Sequence, residues 1–511
     1  MSIFQREAVQ VSANGYMRFK SGSDIRGIGL GDGSEPLYMD DDFVSRCAAG
    51  FTEFLSEKLE VPEEQLKIAV GHDPRLSAQR ISAALIRGFA SCGVSVLDCG
   101  LSSTPAMFMA VKGLSCGGSV QITASHHPGD RNGLKFFTVD GGLDSKDIEY
   151  ILRAAQNKTI VEAEARVENV NYMKSYAAHL RSIICSQTGK NEEQKPLSGM
   201  KIMVDAGNGA GGFYAEDVLA PLGADVSSSI NLRPDGSFPV YVPNPESSAM
   251  VENASRRVVS TGADFGIVFD TDVDRAGCIL KDGTELNRNR LIAMISAVIL
   301  ENDPGATIVT DSVTSSGLAE FISSHGGVHL RFKRGYRNVI NKQIELNREG
   351  IDCPLAIETS GHAAFRENYY LDDGAYLVTK LIIKAANLRE NGGSLESFIS
   401  DLKEPAEERE LRFKIMLDDF RDYGEKVISE LKAEDSKHCG WTPEAVNHEG
   451  IRINTDKDSG DGWFLLRLSV HDPIIVLNFE SNSAGGTDKM TADLEKFLSK
   501  YKMLDLSVFK K

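Results

Sequence analysis

Three aspartates, Asp270, Asp272 and Asp274, alternate along a segment that directly follows the apolar run Phe265-Gly-Ile-Val-Phe. Carboxylates this close repel one another, and a hard divalent cation such as Mg²⁺ is the usual remedy. An EF-hand does not fit, because its sixth and twelfth positions call for Gly and Glu and here hold Arg275 and Lys281. A second constellation, Thr123-Ala-Ser125-His126-His127-Pro, sets a serine hydroxyl beside an imidazole, the pairing of a nucleophile with a base. It lacks the G-x-S-x-G pattern of a nucleophile elbow, so an esterase has no support. Downstream, Arg131-Asn-Gly-Leu-Lys135 places two cations around a tight turn, a composition suited to holding phosphate. Ser23-Asp-Ile-Arg26-Gly by itself reads as a loop with a surface arginine. Lys333-Arg334-Gly335-Tyr336-Arg337 reads as a solvated charge run or an anion contact. The histidines at 179, 325, 329, 438 and 448 have no ligand spacing and read as structural or surface residues.

These groups must be positioned by something, and a weak internal repeat supplies it. Short β-branched runs recur at Lys67-Ile-Ala-Val-Gly, Lys201-Ile-Met-Val-Asp and Thr307-Ile-Val-Thr-Asp. Each precedes a helix-compatible stretch and a Gly-led strand, at Gly93-Val-Ser-Val-Leu, Gly223-Ala-Asp-Val and Gly327-Val-His-Leu. A third strand follows in each unit, beginning at Ser119, Phe265 and Pro354. Continuous apolar runs alternating with helical segments predict buried parallel strands in βαβ units. The third strands run into Thr123-Ala-Ser-His-His, Asp270-Thr-Asp-Val-Asp-Arg and Glu358-Thr-Ser-Gly-His. Ligands of open parallel sheets bind beyond the carboxyl ends of strands, so these loops are expected to converge on one cleft.

From about residue 401 the rhythm changes. A charged, helix-prone stretch from Glu404 to Lys432 leads into short strands at Gly450, Trp463 and Pro473, predicting an α+β domain with an antiparallel sheet. The fold class is therefore α/β: three related α/β domains with mixed, largely parallel sheets, plus a C-terminal α+β domain. The expected boundaries are 1–165, 166–288, 289–400 and 401–511. The polar stretch from Ser186 to Pro196 reads as an exposed connection.

At 511 residues, 41% hydrophobic and 25% charged, the chain can bury several cores. Its 56 Lys and Arg against 73 Asp and Glu leave a net charge of −17, which argues against nucleic acid or an anionic membrane as partner. The longest apolar stretch, Leu291 to Leu300, is well short of the ~18 residues that span a bilayer. The start, Met1 to Gln10, has no signal-peptide pattern, with Glu7 where an apolar core belongs. Eight cysteines without C-x-x-C spacing read as reduced thiols of a cytoplasmic protein. A plastid stroma after loss of a transit peptide is the other location compatible with this start.

Together and in order, Ser-Asp-Ile-Arg26-Gly, Thr-Ala-Ser125-His-His-Pro with Asn-Gly-Leu-Lys135, Asp270-Thr-Asp-Val-Asp-Arg275 and Glu358-Thr-Ser-Gly-His362 resemble the α-D-phosphohexomutase family, which includes phosphoglucomutase/phosphomannomutase. The resemblance runs from about Ser23 to about Gly486. It implies an enzyme that interconverts hexose 1-phosphate and hexose 6-phosphate, of glucose or mannose, through a phosphoserine and a bound hexose 1,6-bisphosphate. By the same resemblance Ser125 carries the phosphoryl group, and Asp270, Asp272 and Asp274 hold Mg²⁺ with a phosphoserine oxygen. Arg26 and Arg275 add fixed cations, and Lys135 and His126 move the proton of the sugar hydroxyl. Glu358 and Ser360, with His362 beside them, receive sugar hydroxyls. Gly335, Tyr336 and Arg334 belong to a loop that helps distinguish sugars. Closure of the fourth domain over a bound sugar is expected, since transfer to water must be suppressed. The implied partner is a phosphorylated hexose, with no nucleic acid and no membrane, and the protein a monomer or homodimer.

The fourth domain departs from the family pattern, Arg-x-Ser-Gly/Asn-Thr-Glu-Pro, which grips the non-transferring phosphate. This chain has Arg467-Leu-Ser469-Val470-His471-Asp472-Pro473, and Ile357 stands where the third-domain motif carries a glycine. Arg467, Ser469 and His471 are the expected phosphate contacts. An altered grip keeps alive a hexose 1,6-bisphosphate synthase or a phosphoglucosamine mutase on the same fold. The Asp-x-Asp also resembles the nucleophile loop of haloacid-dehalogenase-like phosphatases, although that loop wants Thr or Val where Asp274 stands and lies near the start of its domain.

Overall fold

The computed structural model describes residues 15–417, 419–434, 438–469 and 472–510. The N-terminal stretch discussed above, and Val470 and His471, lie outside the described residues. The chain divides into two compact units. The first holds residues 15–183, 192–252 and 268–274, the second residues 184–191, 253–267 and 275–510.

The first unit is built on a sheet of eight strands: β1 (Lys20–Ser21), β2 (Asp24–Ile28), β3 (Lys67–His72), β4 (Ser95–Leu101), β5 (Gly118–Ile122), β6 (Arg131–Thr138), β7 (Gly141–Gly142) and β8 (Arg166–Asn169). The order is β1-β2-β6-β5-β3-β4-β8, with β7 on β6. β5, β3, β4 and β8 are parallel, whereas β6 and β2 add antiparallel. The segment read as a loop with a surface arginine is thus strand β2, and its pairing with β6 sets Arg26 opposite Gly133. Every residue of β5 is buried, as a fully covered strand requires.

Helices α1 (Asp41–Leu59), α2 (Ala78–Ser91) and α4 (Ser145–Asn157) share one apolar core with the sheet, in which Phe51, Leu85 and Ile151 meet Ile68, Val120 and Phe136. Between α2 and α4 in the chain lies α3 (Thr104–Gly113), capped by the Ser103 hydroxyl and started by Pro105. α1 and α2 approach so closely that a Cβ on Gly88 would stand 2.1 Å from the Ser45 carbonyl oxygen.

The second domain's part of this unit is less regular than its sequence suggests. Strand β9 (Ile202–Asp205) forms, but the Gly-led strand expected at Gly223 does not. Asp225 and Ile230 touch Lys201 and Asp205 only as isolated bridges. The preceding helix is a π-helical turn, Tyr214–Leu219, and a 3₁₀ turn, Ala220–Leu222. Pro221 interrupts the helix, Gly223 ends it at φ 93°, and the Asp225 carboxylate accepts the Ser227 N–H in a tight turn. The next strand, β10 (Phe265–Phe269), is apolar and fully buried, and it leads into the aspartate loop.

In the second unit, β11 (Ala276–Leu280) and β12 (Glu285–Leu286) form a hairpin. A five-stranded sheet follows, of β13 (Thr307–Thr310), β14 (Val328–Arg331), β15 (Leu355–Ile357), β16 (Ala363–Phe365) and β17 (Leu371–Asp372), in the order β14-β13-β15-β16-β17. β13 is parallel to β14 and β15, and the last two strands are antiparallel. The C-terminal sheet is wholly antiparallel: β18 (Glu407–Lys414), β22 (Ile474–Ser481), β21 (Gly462–Leu468), β20 (Ile451–Thr455) and β19 (Trp441–Pro443), in that order. The stretch expected to be helical from Glu404 therefore begins with an edge strand, and the helix is Phe420–Glu434. In Glu-Glu-Arg-Glu-Leu-Arg-Phe-Lys, Leu411 and Phe413 point inward two residues apart while charged neighbours face water, a period of two rather than 3.6. Among the described residues no helix is long and apolar enough to cross a membrane.

The tight crossing of α1 and α2 carries a prediction. Gly88→Val should destabilise the first unit by about 1–3 kcal/mol through overpacking, read as a lowered thermal transition. Stability equal to the parent would show that the helices can separate freely.

Candidate active site

The three aspartates leave the carboxyl end of β10 and all are buried. One oxygen of each lies within 4.8 Å of the others. Val273 takes φ 68°, a left-handed conformation that a β-branched residue rarely adopts, and its N–H donates to Asp270 Oδ1 at 3.0 Å. The loop thus curls back on its first carboxylate. Thr104, at the start of α3, donates its N–H to the Asp272 carbonyl at 2.8 Å and its hydroxyl to Asp272 Oδ2 at 2.5 Å. Lys135 of β6 bonds Asp274 and lies 3.3 Å from Asp272. Asp272 Oδ1 accepts no hydrogen bond among the described residues. Three buried carboxylates against a single lysine, with a buried acceptor left over, are an oxygen donor set that fits a hard divalent cation.

Ser125 stands against this cluster. Its hydroxyl donates to Asp270 Oδ2 at 3.0 Å and lies 3.3 Å from Nδ1 of the exposed His126. Ser125 also has a positive φ, 52°, and a loop holding a serine in that conformation must be braced. Arg26 donates to the Ala124 carbonyl at 2.7 Å and is itself paired with Asp24 at 2.8 Å. The Ser125 N–H donates to the Thr123 hydroxyl at 2.9 Å, which donates to Asp73 at 2.7 Å.

Arg75 is the main brace. Its buried guanidinium pairs with Asp73 at 3.1 Å and donates to the carbonyls of Ser125, His127 (2.7 Å), Pro128 (2.6 Å) and Arg131 (3.0 Å). Burial lowers the Arg75 pKa and raises that of Asp73, and each charge opposes the shift of the other. Neither residue was singled out in the sequence, although Asp73-Pro-Arg75 follows strand β3 and the strand-end rule applies to it equally.

The second unit holds a separate polar centre. Buried Glu358 accepts the Gly335 N–H at 2.6 Å, and Gly335 has φ 115°, a conformation that favours glycine. Ser360 Oγ lies 2.9 Å from His362 Nδ1, and the His362 ring stacks on Tyr336 with centroids 5.2 Å apart. His362 lies 3.7 Å from Glu358 and 3.6 Å from Asp372. Arg334 approaches the buried Asp311 at 3.8 Å, and the Thr359 hydroxyl donates to Asp311 at 2.7 Å. Arg275 is buried, and its backbone bridges that of His362. The structure thus brings Arg334, Gly335, Tyr336, Glu358, Ser360 and His362 together.

Arg467, near the end of β21, is 5% exposed and lies 3.9 Å from Glu449. Ser469 follows, its Oγ accepting the Asp472 N–H at 3.3 Å. Asp311, Ser312 and Glu449 escaped the sequence reading. The first two follow a strand and were findable, whereas His448-Glu449-Gly450 carries no local signal. Burial pushes the Glu358 pKa up to about 8, Asp311 adds to the rise, and Arg334 opposes it.

Residues 18–161, 174–283 and 287–405 match the family models for α/β/α domains I, II and III of phosphoglucomutase/phosphomannomutase. The chain is 30% identical over 420 residues to a phosphomannomutase/phosphoglucomutase of Pseudomonas putida, covering 82% of this chain and 84% of that one. It is 30% identical over 428 residues to a phosphoglucomutase of Neisseria meningitidis, with 83% and 86% covered. A crystal structure of a phosphoglucomutase/phosphomannomutase family protein from Burkholderia thailandensis aligns with a TM-score of 0.76 at 25% identity, over 94% of this chain and 97% of that one. Parafusin, a phosphoglucomutase of Paramecium, shares the fold with a TM-score of 0.71 at 16% identity, over 96% and 95%.

Two expectations follow from this geometry. Arg75→Lys keeps a charge but loses the planar fork that reaches several carbonyls. It should cut kcat by roughly 10- to 100-fold with the fold retained by circular dichroism, and parental kcat would remove Arg75 from the serine loop's support. Glu358 is protonated in the folded protein up to about pH 8, whereas the unfolded chain ionises it near 4.5. The folded state therefore holds an extra proton in this window, and stability falls as pH rises through it. Glu358→Gln should show a shallower loss of thermal stability between about pH 5 and 8, and parallel curves for variant and parent would contradict the assignment.

Proposed function

Because this chain belongs to the phosphoglucomutase/phosphomannomutase family and is an intramolecular phosphotransferase interconverting hexose 1- and 6-phosphates, we propose that Ser125 is its phosphoryl carrier. The observation that carries this reading is the Ser125 hydroxyl 3.0 Å from Asp270, at the edge of three buried carboxylates. Phosphoserine gives its phosphoryl group to a sugar hydroxyl: the P–O bond to Ser125 breaks, a P–O bond to the sugar forms, and a hexose 1,6-bisphosphate results. The bisphosphate turns, and its other phosphate returns to Ser125. His126, 3.3 Å from the serine oxygen, and Lys135 are the groups that accept and return the hydroxyl proton. Asp270, Asp272 and Asp274 are the residues that would hold Mg²⁺, which when bound neutralises negative charge on the phosphoryl oxygens.

Arg26 and Arg75 hold the serine loop still through its carbonyls, so Ser125 presents one fixed direction of attack. Arg275 adds a fixed cation for the transferring group. Glu358 and Ser360 receive sugar hydroxyls as paired acceptors, with His362, Tyr336, Gly335 and Arg334 around them. Arg467 and Ser469 grip the phosphate that is not being transferred. The relatives that cover most of this chain are named as mutases of glucose and mannose phosphates, and both sugars are proposed substrates. No observation favours the bisphosphate-synthase, phosphoglucosamine-mutase or phosphatase readings. Eight cysteines, none in a disulfide among the described residues, support a reducing compartment, the cytoplasm.

Purified protein with glucose 1-phosphate or mannose 1-phosphate and catalytic glucose 1,6-bisphosphate should yield the 6-phosphates, followed by ³¹P NMR. Ser125→Ala should lower turnover by roughly 10³-fold or more with the fold intact. Chelation should stop the parent enzyme and Mg²⁺ restore it. Near-normal turnover in Ser125→Ala, with no phosphate on Ser125 by mass spectrometry, would refute the carrier, and full activity after exhaustive demetallation would refute the metal site.

A further inference from the structure

We infer that Glu449 is the resident counter-anion of the Arg467 grip: it keeps that arginine charged and in place while the grip is empty, and by repulsion it limits how tightly the grip takes a phosphate. This rests on the reading of Arg467 as a phosphate-gripping residue.

Arg467 is almost wholly buried, and a buried guanidinium needs an anion nearby. Glu449 Oε1 supplies it at 3.9 Å, close enough for strong attraction and too far for a hydrogen bond. Arg467 Nε makes no hydrogen bond among the described residues. Charge is therefore balanced while donor capacity is kept. The Glu449 carboxylate is tethered elsewhere: its Oε2 accepts the Ser312 hydroxyl at 2.5 Å and the Arg334 N–H at 3.1 Å. Those bonds anchor it to the turn after β13 and to the loop before Tyr336, and hold it back from a two-point pairing with Arg467. Of the three carboxylates that oppose the effect of burial on Arg467, Glu449 acts most strongly, ahead of Glu410 and Asp311, whereas Arg334 reinforces that effect.

A phosphate reaching Arg467 meets this carboxylate as well, and like charges at short range in a buried site cost free energy. In the proposed reaction either phosphate of the bisphosphate must occupy the grip in turn, so the grip has to let go within each cycle. A built-in competing anion provides that release. Glu449 is a positioning residue in this scheme: it holds Arg467 in place and, without bonding the ligand, repels the phosphate that Arg467 admits.

The test is a titration of the full-length protein with inorganic phosphate, alongside steady-state kinetics on glucose 1-phosphate. Glu449→Gln removes the charge and keeps the shape, and should tighten phosphate binding roughly 3- to 10-fold with KM lowered in step. The same change made in Arg467→Ala should leave phosphate affinity where Arg467→Ala put it. Ser312→Ala unties the carboxylate, lets it turn onto Arg467, and should weaken phosphate binding. If Arg467→Ala weakens phosphate binding while Glu449→Gln leaves it unchanged or weakens it too, the counter-anion role is wrong and the grip survives. Unchanged affinity in Ser312→Ala overturns the tether, and with it the proposal. If Arg467→Ala binds phosphate like the parent, the grip itself is wrong and the proposal falls with it.

Discussion

Mutual repulsion among three buried carboxylates is the constraint around which the first unit is arranged. Asp270, Asp272 and Asp274 share a space under 5 Å across, away from water, where like charges interact strongly. Lys135 on β6 and Thr104 at the start of α3 blunt that repulsion without exhausting the oxygens. A site left incompletely neutralised has affinity for a cation and, beside it, for the phosphate that a cation attracts. The left-handed backbone at Val273 is a local cost of bringing the carboxylates together, borne by the buried strand β10 and the packed core around it.

The serine loop obeys a related rule. Its serine is held in a left-handed conformation, yet a loop beginning at a strand end has few backbone partners of its own. Arg75 supplies them by gathering carbonyls from four residues of the loop onto one guanidinium, with Asp73 cancelling its charge. The arginine acts as a structural cation, buried and paired, while Arg26 also braces the loop from β2.

In the second unit the same economy recurs with the signs arranged differently. Glu358, Asp311 and Glu449 are balanced against Arg334 and Arg467, with Arg334 3.8 Å from Asp311 and Arg467 3.9 Å from Glu449. Burial pushes the Glu358 pKa up to about 8, so near neutral pH its carboxyl can donate as well as accept a hydrogen bond. The relatives named as phosphomannomutase/phosphoglucomutase share this chain over most of its length.

The sequence by itself determined the fold class, because buried parallel strands advertise themselves as continuous apolar runs and all three first strands formed where those runs lie. It also offered the candidate residues that follow strand ends, Ser125, the aspartate triad and Glu358, since each group sits on consecutive residues of one chain segment. Three local readings failed: Pro221 and a polar turn replaced a strand at Gly223, pairing with β6 made strand β2 of the segment read as a loop around Arg26, and inward Leu411 and Phe413 made an edge strand of a charged, helix-prone run. Only the tertiary structure decided what braces and balances those residues. Arg75 meets the serine loop some fifty positions away, Thr104 meets Asp272 across 168, and Glu449 meets Ser312 across 137. Such pairings leave no spacing to read, because the geometry that selects them exists only once the sheets have assembled.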